Sequence, residues 1–346
     1  MNTLPRGVRP ILQGVRAFSI DRRYGLDKYY LFHGATMPRY TSTAAALTAL
    51  MTVATAGVAS EPPLAQQLNV LENFQVIAHR GASGHAPEST MPAYELAHEW
   101  GVDYLELDAQ LTADGEVVIF HDNTLERTSN GEGHIHEHTL AELKALDTGS
   151  WFNEANPEQA SEDFVGLPML TLEELFDHFG HTTRYYIETK SPHLNPGLEA
   201  ALVERLEAYD LVQEGRVLVQ SFAQESLLKI QALNPEIPLV QLLWYSPGEG
   251  EGSPLVEWND TTPGPAQMRA SDFQRIAEYA VGIGTNAQRD GQDVIDADFI
   301  RLAQQNGLPV HVYTINERPE MERLMRMGVN GLFTDYPDRL QSLIVE

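Results

Sequence analysis

Nine short apolar runs divide residues 74–335, and the stretches between them have helical character. The runs are FQVIAH (74–79), DYLELD (103–108), VVIFH (117–121), YYIET (185–189), VLVQSF (217–222), PLVQLLWY (238–245), VGIGT (281–285), PVHVYTI (309–315) and GLFTD (331–335). Runs of this length, dense in β-branched and aromatic residues, read as strands. Segments 91–100, 171–179, 197–209, 224–233, 271–280, 296–306 and 317–327 read as helices; Ile295, Phe299, Leu302 and Ala303 show the spacing. Strand and helix taken in turn imply βα units and a parallel sheet. Eight such units close a TIM (β/α)8 barrel. The ninth run, 117–121, then becomes an extra strand or hairpin arm, opening a short insertion (roughly 122–167) after the second barrel strand. A doubly wound open sheet is the competitor, but no G-x-G-x-x-G follows the first run. The Gly/Pro-rich segment 246–265 reads as a surface loop, so one domain is expected over 74–346.

The N-terminal region has a different character. Met37 and Arg39 precede AAALTALMTVATAGVA, an uncharged run of roughly 16 residues, shorter than the ~20 of a spanning helix. Small residues and Glu61-Pro62-Pro63 follow. This is the layout of a secretory signal peptide over 37–60. Residues 1–36 then form a disordered upstream extension and 61–73 a linker. The expected product is exported, periplasmic or secreted, starts near Glu61, and has no stable membrane insertion. An N-terminal helix kept as an anchor is the alternative. The chain has no cysteine, which excludes disulfides, thiolate metal sites and cysteine nucleophiles. Beyond residue 60 it carries 16 basic and 47 acidic residues, a surface that would repel a nucleic-acid backbone.

The chemistry concentrates between His79 and Asp122. Alternate strand residues share a face, so Glu106 and Asp108 of YLELD point one way and Leu105 and Leu107 the other. With the leucines under the helices, both carboxylates face the barrel interior near the active-site end. Such a pair raises a pKa unless a cation lies between, and a hard divalent ion with oxygen ligands fits. Glu188 ends another run and completes a trio. His79 and His121 end the first and the extra strand and suit proton transfer near neutral pH. Arg80 and Lys190 can hold phosphate oxygens. Gly81 and Gly84 allow close approach of backbone to ligand, and Glu88 could orient a histidine or lie near the metal. HIHEH (134–138) reads as an exposed loop between glycines rather than a metal run. Trp244 and Tyr245 either line a pocket mouth or pack inside. Asn316 and Asp335 either touch substrate or cap helices.

The segment HRGASGHAPEST…LELDAQLTADGEVVIFHDNTLERTSNG (79–131) resembles the signature of the glycerophosphodiester phosphodiesterases, and the likeness continues through LPMLTLEELF, IETK, QSF, VYTIN and GLFTDYPD. It spans nearly all of 74–343. One departure is Ser89, where the family usually has Asn. The resemblance implies a TIM barrel that hydrolyses a small glycerophosphodiester to glycerol 3-phosphate and an alcohol. It further implies one Ca²⁺ or Mg²⁺ on Glu106, Asp108 and Glu188, His79 and His121 as the acid/base pair, and Arg80 and Lys190 on the phosphate. Two alternatives stand beside it: phospholipase D-like cleavage of lysophospholipids on the same barrel, and a non-catalytic secreted barrel that binds phosphodiesters.

Overall fold

The structure is a computed structural model that describes residues 73–249 and 253–345. The extension at 1–36, the signal segment at 37–60 and all of the linker but Asn73 lie outside the described residues.

Eight parallel strands close on themselves. They are β1 (Gln75–Ala78), β2 (Tyr104–Leu111), β5 (Tyr185–Thr189), β6 (Val217–Ser221), β7 (Leu239–Leu243), β10 (Gly282–Asn286), β13 (Val310–Tyr313) and β14 (Gly331–Thr334). Closure is made by β1, which pairs with β14 (Ala78 beside Thr334) and with β2 (Ala78 beside Leu105). Helices Met91–Glu99, Leu172–Phe179, Leu198–Ala208, Gln224–Leu233, Ala270–Ala277, Ala297–Gln305 and Arg318–Met327 fall where the sequence places them, and Pro337–Val345 adds one at the C-terminus.

The pleat sorts the strand residues as expected. Leu105, Leu107, Val76 and Ala78 pack outward in the core beneath the helices. Ile77, Tyr104, Tyr186, Leu218, Val240 and Phe333, one from each of six strands, pack inward and fill the barrel. This packed layer leaves the C-terminal end of the strands for chemistry.

The extra run is a hairpin arm. β3 (Val117–Ile119) turns back antiparallel onto β2, and β4 (Leu170–Thr171) pairs with β3. The insertion between them carries its own small core of Val118, Phe120, Leu125, Ile135, Leu143 and Met169. Ile135 explains the HIHEH run: it anchors a 3₁₀ turn, Ile135–Glu137, and the flanking histidines are carried along with it. Reciprocal capping boxes start two helices here, Thr139 with Glu142 and Thr171 with Glu174. The 246–265 segment contains more order than a surface loop: β8 (Tyr245–Pro247) and β9 (Leu255–Glu257) form a hairpin above the barrel, and β11 (Gln288–Arg289) and β12 (Gln292–Asp293) form another.

Candidate active site

The chain leaves β1 in a tight turn. Arg80 sits at φ 56° and Gly81 at φ 83°. A Cβ on Gly81 would lie 2.6 Å from the backbone carbon of Ala93, so helix Met91–Glu99 can approach only a glycine there. This turn aims the Arg80 N–H at Glu106 Oε2, 2.9 Å away.

Asp108 and Glu188 are register partners on β2 and β5, and Glu106 lies two residues before Asp108 on the same face. One oxygen from each lies within 4.8 Å of the others, and all three side chains are buried. Burial pushes Glu106 well above the usual carboxylate range, and the neighbouring Asp108 adds to it. Burial likewise pushes Glu188 up to about 7, with Lys190 opposing. Burial acts upward on Asp108 too, but Lys190, His121 and Arg80 outweigh it and hold that carboxyl below its usual range. The trio therefore resists full ionisation on its own. Among the described residues no group donates a hydrogen bond to Asp108 Oδ2. Arg80 Nε stands 3.5 Å from it, an ion-pair distance rather than a bond. A buried, oxygen-only, partly unsatisfied donor set of this charge is the chemistry a hard divalent cation needs, so the residues fit one. Lys190 Nζ lies 3.0 Å from Glu188 and 3.3 Å from Asp108, and Gln220 on β6 donates to Glu106 at 3.1 Å.

Each histidine is held by an aspartate. His79 Nδ1–H donates to Asp335 Oδ1 at 2.7 Å, and Asp335 also accepts from Ser83 Oγ at 2.9 Å and Asn316 Nδ2 at 2.6 Å. His121 Nδ1–H donates to Asp122 Oδ1 at 2.6 Å. An ionised carboxylate only accepts, so it keeps a proton on Nδ1 of each ring and leaves Nε2 as the nitrogen that takes or gives the moving proton. Burial holds His121 below its ordinary pKa, against the pull of Asp108 and Asp122. Among the described residues Glu88 is hydrogen-bonded to no histidine. It accepts from Arg80 Nη1 at 2.9 Å and is gripped from the other side by Arg127.

His79, Arg80, Glu106, His121, Glu188 and Lys190 all line one cavity of about 690 Å³. Asp108 sits just behind it, 1 % exposed. The opposite wall is apolar, with Phe222, Leu242, Trp244 and Tyr313, and the Trp244 and Tyr313 rings run parallel, 6.2 Å apart. Trp244 and Tyr245 thus divide the two readings: Trp244 lines the cavity, and Tyr245 is fully buried with its hydroxyl 2.9 Å from Thr262. Asn316 lines the cavity and holds Asp335, which in turn holds His79.

The structure brings together the seven residues expected to bind metal, hold phosphate or move protons, and adds Asp122, Arg127 and Gln220, which the sequence did not single out. Gln220 had a signal: it shares strand parity with Leu218, which faces inward. Asp122 follows His121 directly, a pairing open to reading as an orienting carboxylate. Arg127 gives no local signal, since both its partners are fixed by the fold.

Residues 79–339 match the model of the glycerophosphoryl diester phosphodiesterase family. A glycerophosphodiester phosphodiesterase of Bacillus subtilis is 42% identical over 271 residues, covering 77% of this chain and 85% of the relative. One of Caldanaerobacter subterraneus is 34% identical, covering 78% and 97%. Among solved structures, an Oleispira antarctica phosphodiesterase in complex with the product sn-glycerol-3-phosphate superposes with a TM-score of 0.62 at 30% identity, covering 79% of this chain and 97% of that one. Barrel, motif and relatives agree, and the chain belongs to the glycerophosphoryl diester phosphodiesterase family.

Proposed function

We propose that this enzyme hydrolyses glycerophosphodiesters to glycerol 3-phosphate and an alcohol, with one divalent cation, Ca²⁺ or Mg²⁺, and two histidines as proton carriers. One observation carries the reading: His79 and His121, each fixed by an aspartate, share a cavity with Glu106 and Glu188, and Asp108 just behind it completes the buried trio. The trio would hold the cation. When bound, that ion would screen the phosphate charge and lower the pKa of a coordinated hydroxyl. Arg80 and Lys190 present charged donors to the phosphate oxygens.

The substrate's own glycerol hydroxyl, next to the phosphate, attacks phosphorus. His121, neutral because of its burial, takes that proton on Nε2. The bond from phosphorus to the alcohol breaks, and His79, entering the step with a proton on both ring nitrogens, gives the one on Nε2 to the departing oxygen. Water then opens the cyclic phosphate with the protons running in reverse: His79 takes one from water and His121 returns one to the glycerol oxygen. Both rings end as they began.

The test replaces each histidine by alanine and compares glycerophosphocholine with a diester carrying 4-nitrophenol. A good leaving group needs no acid, so it should rescue His79→Ala and leave His121→Ala slow. Neither variant slowing turnover of glycerophosphocholine would end this reading.

The aromatic wall favours a second reading on the same barrel, cleavage of lysophospholipids. Trp258, 67% exposed, meets Phe222 of that wall edge-on at 6.1 Å and extends the apolar surface outward. Turnover of lysophosphatidylcholine micelles above that of glycerophosphocholine would decide for it. Among the described residues no helix is long and apolar enough to cross a membrane. Export belongs to the proposal too, on the strength of the 37–60 segment. Fractionation of a bacterial host expressing the full chain, with N-terminal sequencing, should find a start near Glu61 outside the cytoplasm; an uncleaved cytoplasmic product would overturn it.

A further inference from the structure

Arg127 makes four hydrogen bonds to two carboxylates. Its Nε donates to Asp122 Oδ2 at 2.6 Å and its Nη2 to Asp122 Oδ1 at 3.0 Å. Its Nη1 donates to Glu88 Oε2 at 2.9 Å and its Nη2 to Glu88 Oε1 at 2.7 Å. Both carboxylates are thus held bidentately by one planar guanidinium, the strong form of this interaction. Beyond each of them lies a group that lines the cavity. Asp122 holds His121, and Glu88 holds Arg80. The chain of contacts His121–Asp122–Arg127–Glu88–Arg80 is unbroken, although its two ends come from different elements, the end of β3 and the turn after β1. Arg127 itself does not line the cavity, and its side chain is 43% exposed.

We propose that Arg127 is a positioning residue that fixes His121 and Arg80 relative to each other, so that the group moving the proton and the group gripping the phosphate are set by one clamp. A surface arginine in a lone ion pair is worth little. Here the geometry differs. The carboxylates that Arg127 bridges are the sole side-chain hydrogen-bond partners that the described residues give to His121 and to the Arg80 guanidinium. Without Arg127, Asp122 and Glu88 lose their common cation and can turn independently. Each would carry its catalytic partner with it. Lysine keeps the charge but offers no fork, so it cannot hold both carboxylates in one plane.

The inference rests on the reading of His121 as a proton carrier, and a double-mutant cycle separates the two. Measured with glycerophosphocholine and excess cation, Arg127→Ala should lower kcat/KM by about 10²-fold, with kcat falling and KM rising, because both ends of the chain loosen. In a His121→Ala background the fall in kcat from the same change should shrink to about threefold or less, since residues acting as a unit are not additive. Arg127→Lys should recover less than about a tenth of the lost rate, and added guanidinium should partly rescue Arg127→Ala. A full additive loss in the His121→Ala background overturns the clamp, as does wild-type turnover in Arg127→Ala or full recovery with lysine. If Arg127→Ala does not fold, Arg127→Lys carries the cycle instead. If His121→Ala alone turns over normally, it is the mechanism that fails, and the clamp with it.

Discussion

His79 and Asp335 are 256 residues apart in the chain and 2.7 Å apart in space. Barrel closure makes the pair. β1 runs beside β14 with Ala78 opposite Thr334, so the residues that follow each strand meet. The His79 ring is therefore oriented by the last strand of the barrel.

Asp335→Asn should keep the fold and lower kcat. An amide no longer fixes the Nδ1 proton, and with the wrong tautomer His79 loses its role. The expected loss is about 10²–10⁴-fold, the range seen when an orienting or proton-carrying group is removed. Steady-state kinetics beside a thermal melt check it, and unchanged kcat would show that Asp335 plays no part in proton transfer.

Glu106→Gln should act in opposite directions on activity and on the metal-free protein. It removes one of three buried, mutually repelling carboxylates, so the metal-free melting temperature should rise. Stabilisation by Ca²⁺ or Mg²⁺, about 2.7 kcal/mol at a hundredfold excess over Kd in the parent, should largely vanish together with turnover. Thermal shifts with and without chelator measure both effects. A variant that still gains the parent's full stabilisation would show the ion binds elsewhere.

His311 should make the fold acid-sensitive. Its ring is buried inside the barrel, 3.2 Å from the Tyr186 hydroxyl, and burial lowers its pKa to about 3. In the unfolded chain it titrates near 6.5. The native state therefore keeps it neutral where the unfolded state protonates it, and stability falls as pH drops from about 6.5 towards 3. Between pH 6.5 and 4 the loss is about 3 kcal/mol. Urea midpoints should show a shallower acid slope in His311→Phe, and equal slopes would exclude this residue as the cause.

Gly81→Ala should cost both stability and activity. The residue combines φ 83° with a Cβ contact of 2.6 Å to backbone, so the turn that presents His79 and Arg80 must shift. A loss of about 2–4 kcal/mol is expected from strain of this kind, read from denaturant unfolding. Wild-type stability in the variant would mean that the helix and turn can move apart freely.

The fold was legible because the period of two in its strands alternates with the period of about 3.6 in its helices. Leu105 and Leu107 against Glu106 and Asp108 is a period-two signal in a single five-residue run, and the structure places each on the face that parity assigns. Most site residues named from sequence lie at the strand ends or in the turns just beyond them, while Glu106 and Asp108 lie within β2, which runs on to Leu111, level with the end of β5. The partners that hold those residues were harder to see. Asp335 and Asn316 were visible as polar residues after the last two strands, but their tie to His79 depends on closure. Arg127 joins an insertion to the first βα turn, and no spacing encodes a contact between separate loops. The hairpin at 245–257 was hidden by glycines and prolines that read as loop, because its strands are only three residues long.

The layer of Ile77, Tyr104, Tyr186, Leu218, Val240 and Phe333 has a bearing on traffic. Among the described residues it closes the barrel beneath the site, a cup rather than a tube. On the proposed two-step reaction, substrate, departing alcohol and the water of the second step would share the cavity mouth above that layer. On the proposed mechanism the alcohol would have to clear that doorway before water reached the phosphorus, and an alcohol slow to leave would meet the cyclic phosphate and rejoin it. Reversal of the first step, read as exchange of labelled alcohol into the diester, is the behaviour such a vessel should show.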